Sequence, residues 1–338
     1  MLEKKTNYYD VIGIGNALID VYSKVGELFL SERHLTKNQM TPLSPADMGL
    51  IHNDIIPIQE TCGGSVANTL VGLSTLGATT AFIGKVHDDF WGKKFSRELG
   101  VSGVDFFTPM LKNGPMTGRS IILVTPDAKH SMFTYLGANL HLSISDIDEN
   151  LIKDSLVTYI EGYLFASEKG AEIAAHAAQI AHKHKRKIAF LLPDITFSPQ
   201  YKEQLQQFVS QNVDILFTSE QAIHNFYIGK SIDQCINLLN SFIPTIVVKK
   251  TLNDTIIIHN NQKIYSPAEK DNNVIDYSGN LDLFASGFLY GYTKNYSIED
   301  CVNIASITSA EAITHYGSRP EISLRGLLRN TLTACNNQ

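Results

Sequence analysis

The stretch Asp276-Tyr-Ser-Gly-Asn-Leu-Asp-Leu-Phe-Ala-Ser-Gly-Phe-Leu-Tyr-Gly291 decides how the rest of the chain is read. The β-branched pair Val274-Ile275 precedes it, and Leu281, Phe284, Ala285, Phe288 and Leu289 then recur at helical spacing. The pattern predicts strand, tight turn and buried helix, with Asp282 in the helix's first turn. The earliest N–H groups of a helix lack intrahelical partners and the macrodipole is positive there, so such an end holds a phosphate group. A carboxylate beside it takes the proton of an attacking hydroxyl. Phosphoryl transfer needs those two parts side by side. Read without function, the same residues are a helix-start carboxylate and a turn glycine, so other segments must decide.

Asp10-Val-Ile-Gly-Ile-Gly15 is a short apolar run ending in glycine, a buried strand, and Asn16-Ala-Leu-Ile-Asp20 sets two polar side chains beyond its end. In open α/β sheets ligands sit at that carboxyl edge. Residues 21–58 carry short alternating pieces and no long core-type helix, which marks an excursion from the main sheet. Thr61-Cys-Gly-Gly-Ser-Val-Ala-Asn68 opens a helix through paired glycines, which allow close backbone approach to a ligand. Asn68 offers both a donor and an acceptor. A strand at 79–84 and an amphipathic helix at 88–100 follow, and Gly118 to Tyr135 reads as a hairpin turning at Pro126-Asp-Ala-Lys129. From residue 140 onward strands and helices alternate up to the strands at 245–249 and 255–259, which predicts a parallel sheet with helices on both faces. The basic run His182-Lys-His-Lys-Arg-Lys187 ends a helix, where cations are favoured, and reads as a solvated helix end.

The bounds agree with an enzyme of ordinary make-up. A chain of 338 residues accommodates a large α/β domain plus an excursion. With 43% hydrophobic and 18% charged residues it has the composition of a globular protein, and a net charge of −6 gives no basic footprint for nucleic acid. The four cysteines are scattered without a CxxC pair, as in a reduced, cytoplasmic protein lacking a zinc framework. No apolar run approaches membrane-spanning length, so neither a membrane nor a nucleic acid is expected as a partner.

Taken in order, Gly15-Asn-Ala-Leu-Ile-Asp20, Gly63-Gly-Ser-Val-Ala-Asn68, Thr117-Gly-Arg119, Val124-Thr-Pro-Asp127, Glu161-Gly-Tyr-Leu164, the central stretch and His315-Tyr-Gly-Ser-Arg-Pro-Glu321 resemble the ribokinase/phosphofructokinase-B carbohydrate kinase family, in its adenosine-kinase-like bacterial branch. The resemblance runs from about residue 10 to residue 325. It implies a three-layer α/β/α sandwich around a mainly parallel sheet, with a core from 9–16, 59–105 and 138–335 and a β lid from 17–58 and 106–137. It implies that Asn16, Asp20, Gly63, Gly64 and Asn68 hold the hydroxyls of a nucleoside or sugar. Asp282 would be the general base toward the primary hydroxyl, with Gly279, Asn280 and Leu281 completing an anion hole. ATP and Mg²⁺ are the implied cofactors, met by Ser219, Thr251, Asn253, Asp276 and Gly279, and the implied assembly is a monomer or homodimer.

The departures from the family pattern all lie on the nucleotide side. Asn280 and Leu281 replace an alanine and a bare glycine, which predicts a harder approach for phosphate. The metal-organising Asn-x-x-Glu falls on Ser219-Glu-Gln-Ala222, leaving Glu220 as the substitute metal-side carboxylate. Asp254 stands where a glycine is usual, and a phosphate-meeting cation of related members falls near His130. Two readings follow: an ATP-dependent nucleoside or sugar kinase, and a binding relative with weak or no phosphoryl transfer. A dinucleotide-binding reading of Gly13-Ile-Gly15 fails for want of the third glycine and the acidic partner.

Overall fold

The computed structural model describes residues 8–37, 40–127, 130–195, 199–250, 254–266 and 274–335. The first half of the chain moves between two sheets. It runs β1 (Tyr9–Ile14), β2 (Leu18–Lys24), α1 (Glu27–Glu32), β3 (Met40–Pro42), α2 (Pro45–Asp54) and β4 (Gln59–Gly63). Then come α3 (Ser65–Leu76), β5 (Thr80–Ile83), α4 (Phe90–Val101), β6 (Val104–Phe106), β7 (Gly118–Val124) and β8 (His130–Tyr135). The second half alternates: α5 (Glu149–Lys153), β9 (Ser155–Glu161), α6 (Gly170–Lys183), β10 (Lys187–Leu191), α7 (Pro199–Asn212) and β11 (Ile215–Ser219). It continues through α8 (Glu220–Phe226), α9 (Ile232–Asn240), β12 (Thr245–Lys249), β13 (Thr255–His259) and β14 (Gln262–Ser266). Three helices close the chain, α10 (Asn280–Thr293), α11 (Ile298–Ala312) and α12 (Leu324–Cys335).

The large sheet has the order β14-β13-β12-β11-β10-β9-β1-β5-β6 and is parallel from β6 to β12, with β13 and β14 antiparallel at one edge. Its strands bury both faces, and alternation sorts them. Val11, Tyr159, Leu191, Phe217 and Val247 pack with α3, α10 and α11. Ile12, Ile160, Ile188, Leu216 and Ile246 pack with α6, α7, α8 and α9. The second sheet has the order β3-β8-β7-β2-β4, with the β7–β8 hairpin at its centre. This is the three-layer sandwich with a small added sheet that the motifs implied. No helix among the described residues is long and apolar enough to cross a membrane.

Two expectations are corrected. Residues 59–63, assigned to the core from the sequence, form β4 and pair antiparallel with β2 in the small sheet. Val274-Ile275 is not a strand: the Ile275 and Asp276 amides donate to Ile313 O at the end of α11 (2.8 and 3.4 Å), so this backbone is satisfied without a ladder. Ser44, whose hydroxyl accepts from Asp47 N, caps α2 inside the excursion, where no long helix was expected.

Candidate active site

The site grows from the places where the chain leaves the large sheet. After β1, Gly15 lies against Glu161, where a Cβ would come within 2.5 Å of Oε2. Asn16 donates from Nδ2 to Glu161 Oε1 at 2.8 Å, and Ala17 N donates to Asn139 Oδ1 at 2.7 Å, so two buried side chains fix this turn. Asp20 then faces inward from β2, 6% exposed. Gly63 on β4 makes room for its carboxyl, since a Cβ there would stand 2.1 Å from it. Gly64 takes φ 100° and lies against Asn16 O, conformations and spacing that only glycine meets easily.

From that turn α3 starts, and its first turn clasps the first turn of α10. Ser65 Oγ donates to Asp282 Oδ1, Asn68 Nδ2 donates to Asp282 Oδ2 at 3.1 Å, and Thr69 Oγ1 donates to Asp282 O at 3.1 Å. Among the described residues, Asn68 Oδ1 is buried without a hydrogen-bond partner.

At the head of α10, Gly279 is the N-cap at φ 72°, and a Cβ on it would reach within 2.6 Å of Ser318 Cα. Leu283 N is the first amide to return to Gly279 O (2.8 Å), which leaves the amides of Leu281 and Asp282 without a backbone acceptor among the described residues. Asn280 and Leu281 do not obstruct them as expected. Neither has positive φ, Asn280 turns its Nδ2 to Ser309 O (3.1 Å), and Leu281 packs on the core. Asp276, expected near the cofactor, is 1% exposed and spent on backbone: it accepts from Ser278 N at 2.7 Å and Gly317 N at 2.9 Å. His130 on β8 reaches the same turn, 3.2 Å from both Ser278 Oγ and Asp276 Oδ1.

Burial pushes the carboxyls of Asp20 and Glu161 up to about 7 and that of Asp282 up to about 6. The Arg319 guanidinium pulls Asp20 back, and the Asp282 charge pushes both neighbours up. Hydrogen bonds from Ser65 and Asn68 hold Asp282 lower than burial alone would leave it. The expected acceptor residues thus lie together at one carboxyl edge. Of the nucleotide-side residues, Gly279 and Asp276 lie in the turn that leads to Asp282. Ser219 caps α8 through Ala222 N (3.0 Å), Glu220 follows it, and Ala222 is buried. Thr251 and Asn253 lie outside the described residues. Among the described residues no group of three His, Cys, Asp or Glu side chains gathers for a metal.

Sequence reasoning gave no role to Glu161, Ser65, Asn139 or Arg319. Glu161 carried a readable signal, a charged residue ending an apolar strand as Asn16 follows another. Arg319 was visible only as part of the 315–321 motif; among the described residues its Nε and Nη2 are buried without partners, within electrostatic reach of Asp20. The basic run at 182–187 is occupied locally, with Lys183 on Glu149 and Lys187 on Asp214.

An α/β sandwich that places a buried carboxyl at a glycine-capped helix start, held there by Ser65 and Asn68, is the setting of a phosphotransferase with an alcohol group as acceptor. The pfkB family carbohydrate kinase profile matches residues 52–324, and the chain belongs to that family. It is 32% identical to the adenosine kinase of Sinorhizobium meliloti, with a TM-score of 0.89 over 96% of this chain and 99% of that one. A probable sugar kinase of Rhizobium etli gives 31% identity and a TM-score of 0.90 over the same shares. A curated relative, 5-dehydro-2-deoxygluconokinase of Bacillus licheniformis, is 23% identical across 92% of this chain and 91% of its own length.

Proposed function

We propose that the chain transfers the γ-phosphoryl group of ATP to the primary hydroxyl of an uncharged nucleoside, adenosine-like, or sugar. The observation that carries this is the meeting of Asp282 with Asn68 across two helix starts, beside free amides and the Asp20 carboxyl. The acceptor hydroxyl gives its proton to Asp282, its oxygen bonds to the γ-phosphorus, and the bond to the β,γ-bridging oxygen breaks, leaving ADP. The amides at 281 and 282 then meet the charge on the transferring phosphoryl. The two sheets close the acceptor off from water.

The acceptor side asks for hydroxyl donors. Asn68 Oδ1 and the Asp20 carboxyl are acceptors, and the carboxyls of Asp20 and Glu161 both lie within electrostatic reach of Asp282. A vicinal diol on a neutral ring answers them. The compound in the curated relatives' name, 5-dehydro-2-deoxygluconate, has a methylene and a ketone in place of two hydroxyls and brings a further negative charge, so it ranks below ribose and nucleosides.

Mg²⁺ fits this site as a metal carried in on phosphates, since no group of three His, Cys, Asp or Glu side chains gathers among the described residues to cage it. Glu220 would hold it, and it would neutralise phosphate charge. A steady-state assay with adenosine, ribose, fructose and 5-dehydro-2-deoxygluconate, run beside Asp282→Asn, tests the proposal. Turnover of none of them above the variant's level defeats it.

The second reading, a binder of nucleosides or sugars that transfers slowly or never, is favoured by Ala222, an apolar residue 1% exposed where the family has a carboxylate. Calorimetry separates the two: acceptor binding without Mg·ATP binding selects the binder.

A further inference from the structure

We propose that Ser65 is a positioning residue for the transfer: its hydroxyl on Asp282 Oδ1, together with Asn68 on Oδ2, holds the carboxyl in the orientation that meets the acceptor hydroxyl. The inference rests on the reading of Asp282 as the base. A carboxylate offers about four lone-pair sites over two oxygens. Ser65 occupies one on Oδ1 and Asn68 one on Oδ2. One bond alone would leave the carboxyl free to rotate about its own axis; two, on different oxygens, fix it. Thr69 Oγ1 on Asp282 O fixes the backbone behind it.

The three donors stand at i, i+3 and i+4 in α3, so they share one face of its first turn. Ser65 follows Gly64, whose φ of 100° and contact with Asn16 O leave that turn little freedom. An ordinary task for a serine at a helix start is to cap its own helix. Here Gly64 is the N-cap and α3 has no side-chain cap hydrogen bond, so the Ser65 hydroxyl is directed across to α10 instead.

The groups facing Asp282 make that donor matter. Asp20 comes from β2, Glu161 and Tyr159 from β9, and Tyr163 from the turn after it. The carboxyls among them oppose a second negative charge. Among the described residues, Ser65 and Asn68 are what favours the ionised form of Asp282.

The test uses the full chain labelled with ¹³C-aspartate, following the Asp282 carboxyl by NMR against pH, with kcat and KM measured in parallel. Asp282→Asn assigns the signal. Ser65→Ala is expected to move the Asp282 midpoint, and the acid limb of kcat with it, upward by about one to two pH units. KM for the acceptor should stay within about twofold, and Ser65→Thr should restore both midpoints. In an Asp282→Asn background Ser65→Ala should change residual kcat less than about twofold. An unmoved Asp282 midpoint, or an equal loss of kcat with and without Asp282, overturns the proposal. If Ser65→Ala does not fold, Ser65→Cys, which gives up the strong donor at similar volume, makes the same comparison. The titration needs no turnover. A shifted midpoint in a chain that transfers no phosphate would therefore defeat the kinase reading and leave the positioning role standing.

Discussion

Asp282, Asp20 and Asn68 ask to be tested one at a time. Replacing Asp282 by Asn keeps the size and one accepting oxygen, turns the other into an NH2 donor and removes the base, so kcat should fall by about 10² to 10⁴ with KM little changed. Asp20→Ala leaves substrate hydroxyls without a charged acceptor, and KM for the acceptor should rise about ten- to a hundredfold, read by steady-state kinetics. Burial also sets a pH dependence. Asp20 and Glu161 hold protons up to about pH 7 and Asp282 up to about 6, where an unfolded chain would have released them near 4. The native state thus binds more protons across that window, and the contribution of these groups to stability is lost as pH rises through it. Ligand-free Tm should fall between pH 5 and pH 8 by calorimetry, and Glu161→Gln should flatten the slope. Asn16, Asp20, Asn68 and Asp282 were legible because polar residues next to strand ends and at helix starts stand out against apolar surroundings. Ser65 was not, because a serine at a helix start reads as a local cap, and its partner lies 217 residues away in sequence.

The element on which the candidate site most depends is the turn into α10. Gly279 combines φ 72° with the close approach of Ser318, so Gly279→Ala meets both backbone strain and a clash. The expected result is a loss of about 1–3 kcal/mol in stability by denaturant unfolding, with a larger proportional loss in phosphoryl transfer. Asn280→Ala should do much less, because its side chain already points to Ser309 O and not to the helix mouth. Helical spacing made α10 readable over its full length. The strand before it was misread because β-branched residues signal an extended chain but not its pairing, and here the amides go to Ile313 O. β4, Gln59-Glu-Thr-Cys-Gly63, was placed in the wrong layer for a related reason: it is a polar edge strand whose partner β2 lies some forty residues earlier.

At the scale of the whole molecule, the acceptor side chains come from both sheets, Asp20 and Gly63 from the small one and Asn68 and Asp282 from helices on the large one. The alternation after residue 140 made the large sheet legible, whereas the number and order of strands in the small one depended on pairings no local pattern encodes. A ligand bridging the two sheets stabilises both at once, so binding can be read from global unfolding. At a hundred times its dissociation constant a ligand adds about 2.7 kcal/mol, which for a chain of this length is a rise in Tm of about 4 °C. A panel of adenosine, other nucleosides, ribose, fructose and 5-dehydro-2-deoxygluconate, each with and without Mg·ATP, should show that rise for a neutral diol and none for the keto acid. Asn68→Ala should abolish the rise, since it removes the orphaned acceptor together with an anchor of the base. A rise with the keto acid alone would reverse the assignment of substrate class, placing the Arg319 guanidinium, rather than the three carboxyls, in charge of what the pocket admits.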